Sequence, residues 1–175
     1  MLSSAGVVSL DTAQAAEEPL LANLIELYIH DLSDVFTHVE LGPNGRFGYP
    51  RLPLYWAEPD KRYPFLIRCD GHVAGFVLAT RGSPVVPDPD VHDVAEFFVM
   101  RRYRKVGVGK EAAMLLWRRF PCSWTIRVAE GNVGALAFWR ASIANIPQVK
   151  VTEWTLSSGL YAWRVFKFDA GADVR

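Results

Sequence analysis

Four basic side chains, Arg101, Arg102, Arg104 and Lys105, are interrupted only by Tyr103 and stand just before Gly107 and Gly109, where a stretch of helical period begins. The first turn of a helix leaves its backbone N–H groups unpaired, and glycines let an anion come close to them. Guanidinium and ammonium groups beside such a turn add counter-charge, which suits a ligand with several phosphates better than a carboxylate metabolite. Arg104-Lys105-Val106-Gly107-Val108-Gly109, continued by Lys110, is therefore read as an anion cradle rather than as a plain strand-to-helix turn with a solvated basic face. A dinucleotide site is the rival reading, because Gly107-Val108-Gly109-Lys110-Glu111-Ala112 satisfies the short glycine fingerprint and Glu130 follows about 20 residues on. The chain beyond Glu130 is short for the strand and helix units that such a domain still needs.

The elements that must position this turn follow from periodicity. Gly6 to Leu10 predicts a first strand, with Asp11 or Thr12 capping a helix that carries Glu17 and Glu18 in its first turn and runs to about Phe36. Leu21, Leu24, Ile25, Tyr28 and Leu32 recur at spacings of three and four, which marks one buried face. Gly42 to Pro64 lacks a clean period and is expected to be a long connection. Phe65–Arg68 and Val73–Ala79 predict a hairpin turned at Asp70-Gly71, and Val94–Val99 a further strand in which Glu96 is the odd residue. A helix over 109–120 stopped by Pro121, a strand over 124–128, a short helix over 134–144 and a closing hairpin of 149–156 with 160–168 complete the order. The fold class is mixed α/β (α+β): one mostly antiparallel sheet of about seven strands covered by helices, in a single domain over 5–169 with a frayed tail over 170–175.

Composition excludes several function classes. In 175 residues, 19 basic and 19 acidic side chains cancel, which argues against general nucleic-acid binding and confines any polyanion contact to the local cluster. No run approaches the roughly 20 apolar residues of a membrane span, and Met1-Leu2-Ser3-Ser4-Ala5 lacks the basic start of a secretory signal. A cytoplasmic protein without membrane contact is expected. Cys69 and Cys122 stand in no metal-like or redox spacing and are read as reduced structural thiols.

Phe97-Phe98-Val99-Met100-Arg101-Arg102-Tyr103-Arg104-Lys105-Val106-Gly107-Val108-Gly109 resembles the acetyl-CoA signature of the GNAT superfamily of N-acetyltransferases, which ends in Arg/Gln-x-x-Gly-x-Gly/Ala. Asn132-Val133-Gly134-Ala135-Leu136-Ala137-Phe138-Trp139 is similar to a second element of that superfamily, Asn-x-x-Ala-x-x-Phe-Tyr, and follows in the right order. The resemblance implies an acetyl-CoA-dependent transfer of an acetyl group to a primary amine, with acetyl-CoA as co-substrate and no metal. It implies that Phe97, Phe98 and Val99 offer backbone groups to the pantetheine arm, that Lys105 to Lys110 hold the pyrophosphate, and that Asn132 to Ala135 touch the far side of the cofactor. The two central strands would be parallel and splayed, with the thioester in the gap.

That chemistry needs a proton acceptor, an oxyanion donor and an outlet for the thiolate. A backbone N–H near Val99 is the candidate donor. Glu96 and Asp93 are the acids on the strand that borders the gap, and a local bulge decides which of them faces the amine. The plain alternative for either is a solvent-facing or arginine-paired carboxylate; His92, beside them, is read as a solvated histidine. Trp139 stands where the family's pattern has a tyrosine that protonates the leaving sulfur, and an indole N–H is no acid. It then packs against the pantetheine or the core, and Tyr161 is a weak substitute better read as structural. Tyr28, Phe36, Tyr49, Tyr55, Trp56 and Trp154 would bound the acceptor, a small-molecule or peptide amine, and a homodimer is compatible with the family. A non-catalytic acyl-CoA-binding module is the alternative from another class.

Overall fold

In the computed structural model, which describes residues 6–171, the strand and helix signals fall in the expected order. β1 (Val8–Thr12) precedes α1 (Glu18–Leu32), and a short α2 (Leu54–Ala57) lies inside the long connection. β2 (Arg62–Cys69), β3 (His72–Arg81) and β4 (His92–Val99) follow. Then come α3 (Val108–Arg119), β5 (Ser123–Ala129), α4 (Val133–Ile143), β6 (Val151–Ser158) and β7 (Tyr161–Asp169). They form one sheet in the order β1-β2-β3-β4-β5-β7-β6, antiparallel throughout except for the central β4–β5 pair.

Several boundaries differ from the expectations. Asp11 and Thr12 belong to β1, opposite Leu66 and Phe65, and cap nothing. The helical start is instead a capping box in which the Gln14 N–H donates to Glu17, followed by Pro19 in the first turn of α1. α1 stops at Leu32 rather than Phe36, because Ser33 and Asp34 interrupt the apolar stripe and the Val35 and Phe36 N–H groups fold back onto the Leu32 carbonyl. β2 begins before Pro64, which is accommodated where β1 runs out: its carbonyl accepts from Ala13 while its missing N–H breaks no ladder bond to β1. The closing hairpin turns at Gly159-Leu160, with Ser158 opposite Tyr161. Ala170, expected to fray, is buried and donates its N–H to the Cys122 carbonyl; the rest of the expected tail, 172–175, lies outside the described residues, as does residue 5. Asp70-Gly71 does form the predicted turn, both residues taking positive φ between Cys69 and His72.

Side chains on the two faces of the sheet close two cores. Phe65, Ile67, Val77, Val94 and Ile126 pack with Ala112, Leu116 and Trp117 of α3 and Trp139 of α4. Leu66, Phe76, Leu78 and Phe98 pack on the other face with Leu21, Leu24 and Ile25 of α1 and with Tyr55 of α2.

The centre of the sheet is its exception. β4 and β5 pair only at His92–Trp124, Asp93–Thr125 and Val94–Ile126, and beyond these three they separate. The separation begins where β4 carries a bulge: opposite β3 the partners run Leu78–Glu96 and then Ala79–Val94, which leaves Ala95 as an extra residue.

Candidate active site

The bulge settles where the two acids point. Cross-strand partners share a face, and Leu78 and Thr80, partners of Glu96 and Asp93, lie two apart on β3. Glu96 and Asp93 therefore stand on the same face, toward α1, whereas a regular strand would have set residues three apart on opposite faces. Their environments nevertheless differ. Asp93 is 1% exposed and fully engaged, its Oδ1 accepting from Thr125 Oγ1 (2.6 Å) and its Oδ2 from Arg127 Nη2 (2.9 Å). Glu96 accepts the Tyr28 hydroxyl at 2.7 Å and the Tyr49 hydroxyl at 3.0 Å, one on each oxygen, and lines the gap between β4 and β5. Burial raises its carboxyl above the ordinary carboxylate range; the two phenol hydrogen bonds and the nearby Arg127 charge pull the other way without overcoming it. Both phenols are held well above their usual value by burial and by the Glu96 charge, so they remain donors.

Tyr49 reaches this carboxylate from the long connection because Glu26 of α1 accepts the Phe47 and Gly48 N–H groups (2.7 and 2.9 Å) and pins the loop. The gap itself is a cavity of about 260 Å³ walled by Tyr28, Leu32, Phe36, Glu96, Arg127 and Trp163 among others. It adjoins a second cavity of about 600 Å³, with Tyr28, Leu32, Phe97, Asn132, Ala135 and Trp139 as shared walls.

The second cavity leads to the glycine turn. Gly107 caps α3 at φ 96° and Lys105 also takes a positive φ of 63°, a conformation that costs a non-glycine residue about 1–2 kcal/mol. The result is a run of free donors: among the described residues, no protein acceptor meets the backbone N–H groups of Lys105, Val106, Gly107, Val108, Gly109 and Lys110. Gly109 sits in a tight place, since a Cβ there would stand 3.1 Å from the Phe138 ring and 3.4 Å from Val99. Arg104, Lys105, Gly107, Gly109 and Lys110 line the cavity; the Val108 side chain is buried in the core and Val106 is exposed outside. Arg104 is tied to the protein: its Nε donates to the Val99 carbonyl (2.6 Å) and its Nη2 to Asp31, which also takes Arg101. Burial would raise the Asp31 carboxyl, but the two guanidinium groups hold it below the usual range.

Backbone groups supply the rest of the wall. The Met100 N–H bonds to the Ala74 carbonyl, so Phe98 and Glu96, two and four residues back, turn their main-chain groups toward β3. Those of Phe97 and Val99 consequently face the gap.

A family model for the acetyltransferase (GNAT) family matches residues 24–142, most of the chain and all of the site just described except Trp163. The chain belongs to the GNAT acetyltransferase family. Membership makes it an N-acetyltransferase, and GNAT enzymes use acetyl-CoA and act on amine acceptors. Among solved structures, an acetyltransferase from Thermus thermophilus is similar at 16% identity and a TM-score of 0.64, covering 94% of this chain and 98% of its own. RimL, a ribosomal L7/L12 alpha-N-protein acetyltransferase in complex with coenzyme A, superposes at 0.66 with 12% identity over 99% and 98% of the two chains. The ribosomal-protein-S18-alanine N-acetyltransferase from Escherichia coli does so at 0.57 with 12% identity over 95% and 96%. Compared by sequence with curated proteins, the chain finds no significant match. At these identities the structures share the GNAT fold with this chain.

The GNAT topology removes the dinucleotide reading: α4 leads into an antiparallel hairpin instead of further parallel units, and Glu130 is paired with Arg164 at 2.8 Å. On α4, Asn132 caps the helix by accepting the Ala135 N–H at 3.1 Å, and its side chain and Ala135 line both cavities. Trp139, at the GNAT tyrosine position, is 5% exposed and wedged between Phe97 and Phe138, at ring distances of 4.9 and 4.8 Å. Tyr161 lines neither cavity; its hydroxyl meets His38 Nδ1 and its ring packs on Phe36. Of the aromatic side chains expected at the acceptor, Tyr28 and Phe36 line the gap and Tyr49 reaches Glu96, whereas Tyr55 is a core residue and Trp56 donates to the Ala13 carbonyl. Arg127, Asp31, Glu26 and Trp163 belong to no motif and are not singled out by the sequence. Arg127 alone carries a signal, as the one charged residue of its strand, on the polar face it shares with Ser123 and Thr125. No group of His, Cys, Asp or Glu among the described residues could hold a metal ion, and no described helix is long and apolar enough to cross a membrane.

Proposed function

We propose that this GNAT enzyme transfers the acetyl group of acetyl-CoA to a small primary amine by direct attack on the thioester, with Glu96 as the base. The observation that carries this reading is the Glu96 carboxylate, raised by burial, held between two phenols and open to the gap beside unpaired backbone groups of β4. The cradle fits a pyrophosphate, since the N–H groups of Lys105 to Lys110 are free and Gly109 leaves room where a Cβ would crowd Phe138. Lys105, Lys110 and these N–H groups would hold it, while Phe97 offers main-chain groups to the pantetheine amides and Asn132 and Ala135 bound the other side; the Val99 carbonyl is taken by Arg104 and only its N–H is open. Acetyl-CoA supplies the thioester.

Glu96 takes the proton that turns the acceptor's ammonium into a neutral amine, or the one released as the new C–N bond forms and the C–S bond breaks. A carboxyl raised above its usual range suits this task better than an ordinary one. The Val99 N–H, turned into the gap, is the oxyanion donor. Asp93 is no longer a second candidate for the base: enclosed by Thr125 and Arg127, it anchors Arg127. With tryptophan at position 139, no side-chain acid meets the sulfur there, and a thiol of pKa about 8.5 leaves as thiolate and takes its proton from water.

Titration calorimetry with acetyl-CoA, followed by detection of free thiol over a panel of primary amines, tests the reading. Saturable binding with amine-dependent thiol release is expected. Binding without release under any amine would reject the Glu96 chemistry, and absence of binding would reject the cradle.

A further inference from the structure

Arg127 stands on β5 one residue beyond the last β4–β5 pair, where the gap opens, and its guanidinium is only partly used. Nη2 holds Asp93 and Nε is buried out of reach of the cavity; Nη1 makes no hydrogen bond among the described residues and is not enclosed, and Arg127 lines the cavity, so Nη1 is the donor open to an acceptor. Across the gap Glu96, on the wall of the same cavity, presents the opposite character, a carboxylate facing a guanidinium. One wall of the gap thus accepts a proton and the other donates hydrogen bonds, while Leu32, Phe36 and Trp163 add apolar surface beside Tyr28 and Asn132. At about 260 Å³ the space lies below the roughly 300–1,000 Å³ typical of pockets for drug-sized ligands.

We infer that the acceptor is an α-amino carbonyl compound: its amine is presented to Glu96 and the oxygen on the adjacent carbon is held by the free edge of Arg127. The inference rests on the reading of Glu96 as the base and adds the substrate class. A simple amine would leave the Arg127 donors unmet in the bound state, which is how a site rejects an analogue that lacks one polar group. Asp93 keeps the guanidinium turned toward the gap and neutralises it when no acceptor is present. A free amino acid and the first residue of a peptide share this chemistry, and the assay separates them.

The test compares kcat/KM for matched acceptors: glycine, alanine, leucine and phenylalanine, their amides, dipeptides that begin with them, and the corresponding amines without a carboxyl carbon. With kcat/KM expressed per neutral amine, so that the lower amine pKa of an α-carbonyl compound does not enter, the carbonyl-bearing compounds are expected to exceed their simple amines by about 10- to 100-fold, the range that one charge-assisted hydrogen bond supports. The free acids leading the amides and dipeptides would assign an amino acid; the reverse would assign a peptide amine. The double substitution Asp93→Asn with Arg127→Gln removes both charges together, leaving neither buried ion alone, and should bring the ratio close to one; Arg127→Lys should keep part of it. Simple amines equal to or better than their carbonyl counterparts overturn the inference, as does a ratio unmoved by the double substitution. Slow hydrolysis of acetyl-CoA by water, measured in the wild type and in Glu96→Gln, reports on the base separately, so that loss of carbonyl preference and failure of the base are distinguishable.

Discussion

Glu96 combines two demands that oppose each other in stability. Its carboxyl sits above the ordinary value of 4.5 through burial. Between that value and its own, the folded chain holds a proton that the unfolded chain has released, so stability falls as pH rises through this window. Glu96→Gln mimics the protonated side chain; it is expected to lower kcat by about 10²–10⁴-fold while leaving the protein at least as stable as the wild type at neutral pH, as read from denaturant unfolding. A less stable variant would contradict the raised carboxyl. Tyr49→Phe works in the other direction. Removing one of the two hydrogen bonds that favour the charged form should move the acid limb of the kcat–pH profile upward, with little change in the KM for acetyl-CoA. Position 96 was legible in the sequence as an acid in an apolar strand, but its direction was not. That direction depends on Ala95 being extra, and an alanine bulge between Val94 and Glu96 involves no glycine or other residue type that would mark it in the sequence.

At the scale of elements, the glycine turn and α4 were readable because their constraints are local. A positive φ, a free helix start and an asparagine cap each require particular residue types at fixed offsets. Gly107→Ala places a Cβ at φ 96° and should cost about 1–2 kcal/mol in unfolding free energy. It should also weaken acetyl-CoA binding, since the turn must reshape; calorimetry on the folded variant checks the second effect separately from the first. The long connection was opaque for the opposite reason. Its position is set by Glu26, 21 residues before Phe47, and by the reach of Tyr49 to a strand 47 residues later. Arg104 has a partner that is equally remote in sequence: basic and near the glycines, it lines the cavity as expected, but it is held there by Asp31, 73 residues back on α1. Glu26→Ala should free the loop, raise its amide exchange, and shift the kcat–pH profile as Tyr49→Phe does.

For the whole molecule, strand order and fold class were accessible because hydrophobic period and the two spaced motifs agree on them, and a seven-stranded sheet with one parallel pair resulted. Binding should therefore feed back on global stability. Acetyl-CoA at 100 times its Kd is expected to add about 2.7 kcal/mol to unfolding, visible as a concentration-dependent rise in Tm, and a flat Tm under saturating ligand would contradict a site built into the native sheet.

The three residue pairs that join β4 to β5 have a mechanical meaning as well. β1–β4 with α1 form one plate and β5–β7 with α4 the other; the backbone ladder between them runs only from His92–Trp124 to Val94–Ile126, and beyond it side chains alone, such as Phe97 on Trp139 and Phe36 on Trp163, bridge the two. A seam stitched at one end is a pair of tongs, with leverage that grows toward the mouth. Val94 and Ile126 form the last stitch and line the same cavity as Glu96 and Arg127, so their size sets how wide the jaws stand there. A library that varied only the size of those two side chains would thus change which acceptors are gripped while leaving every polar group of the site in place.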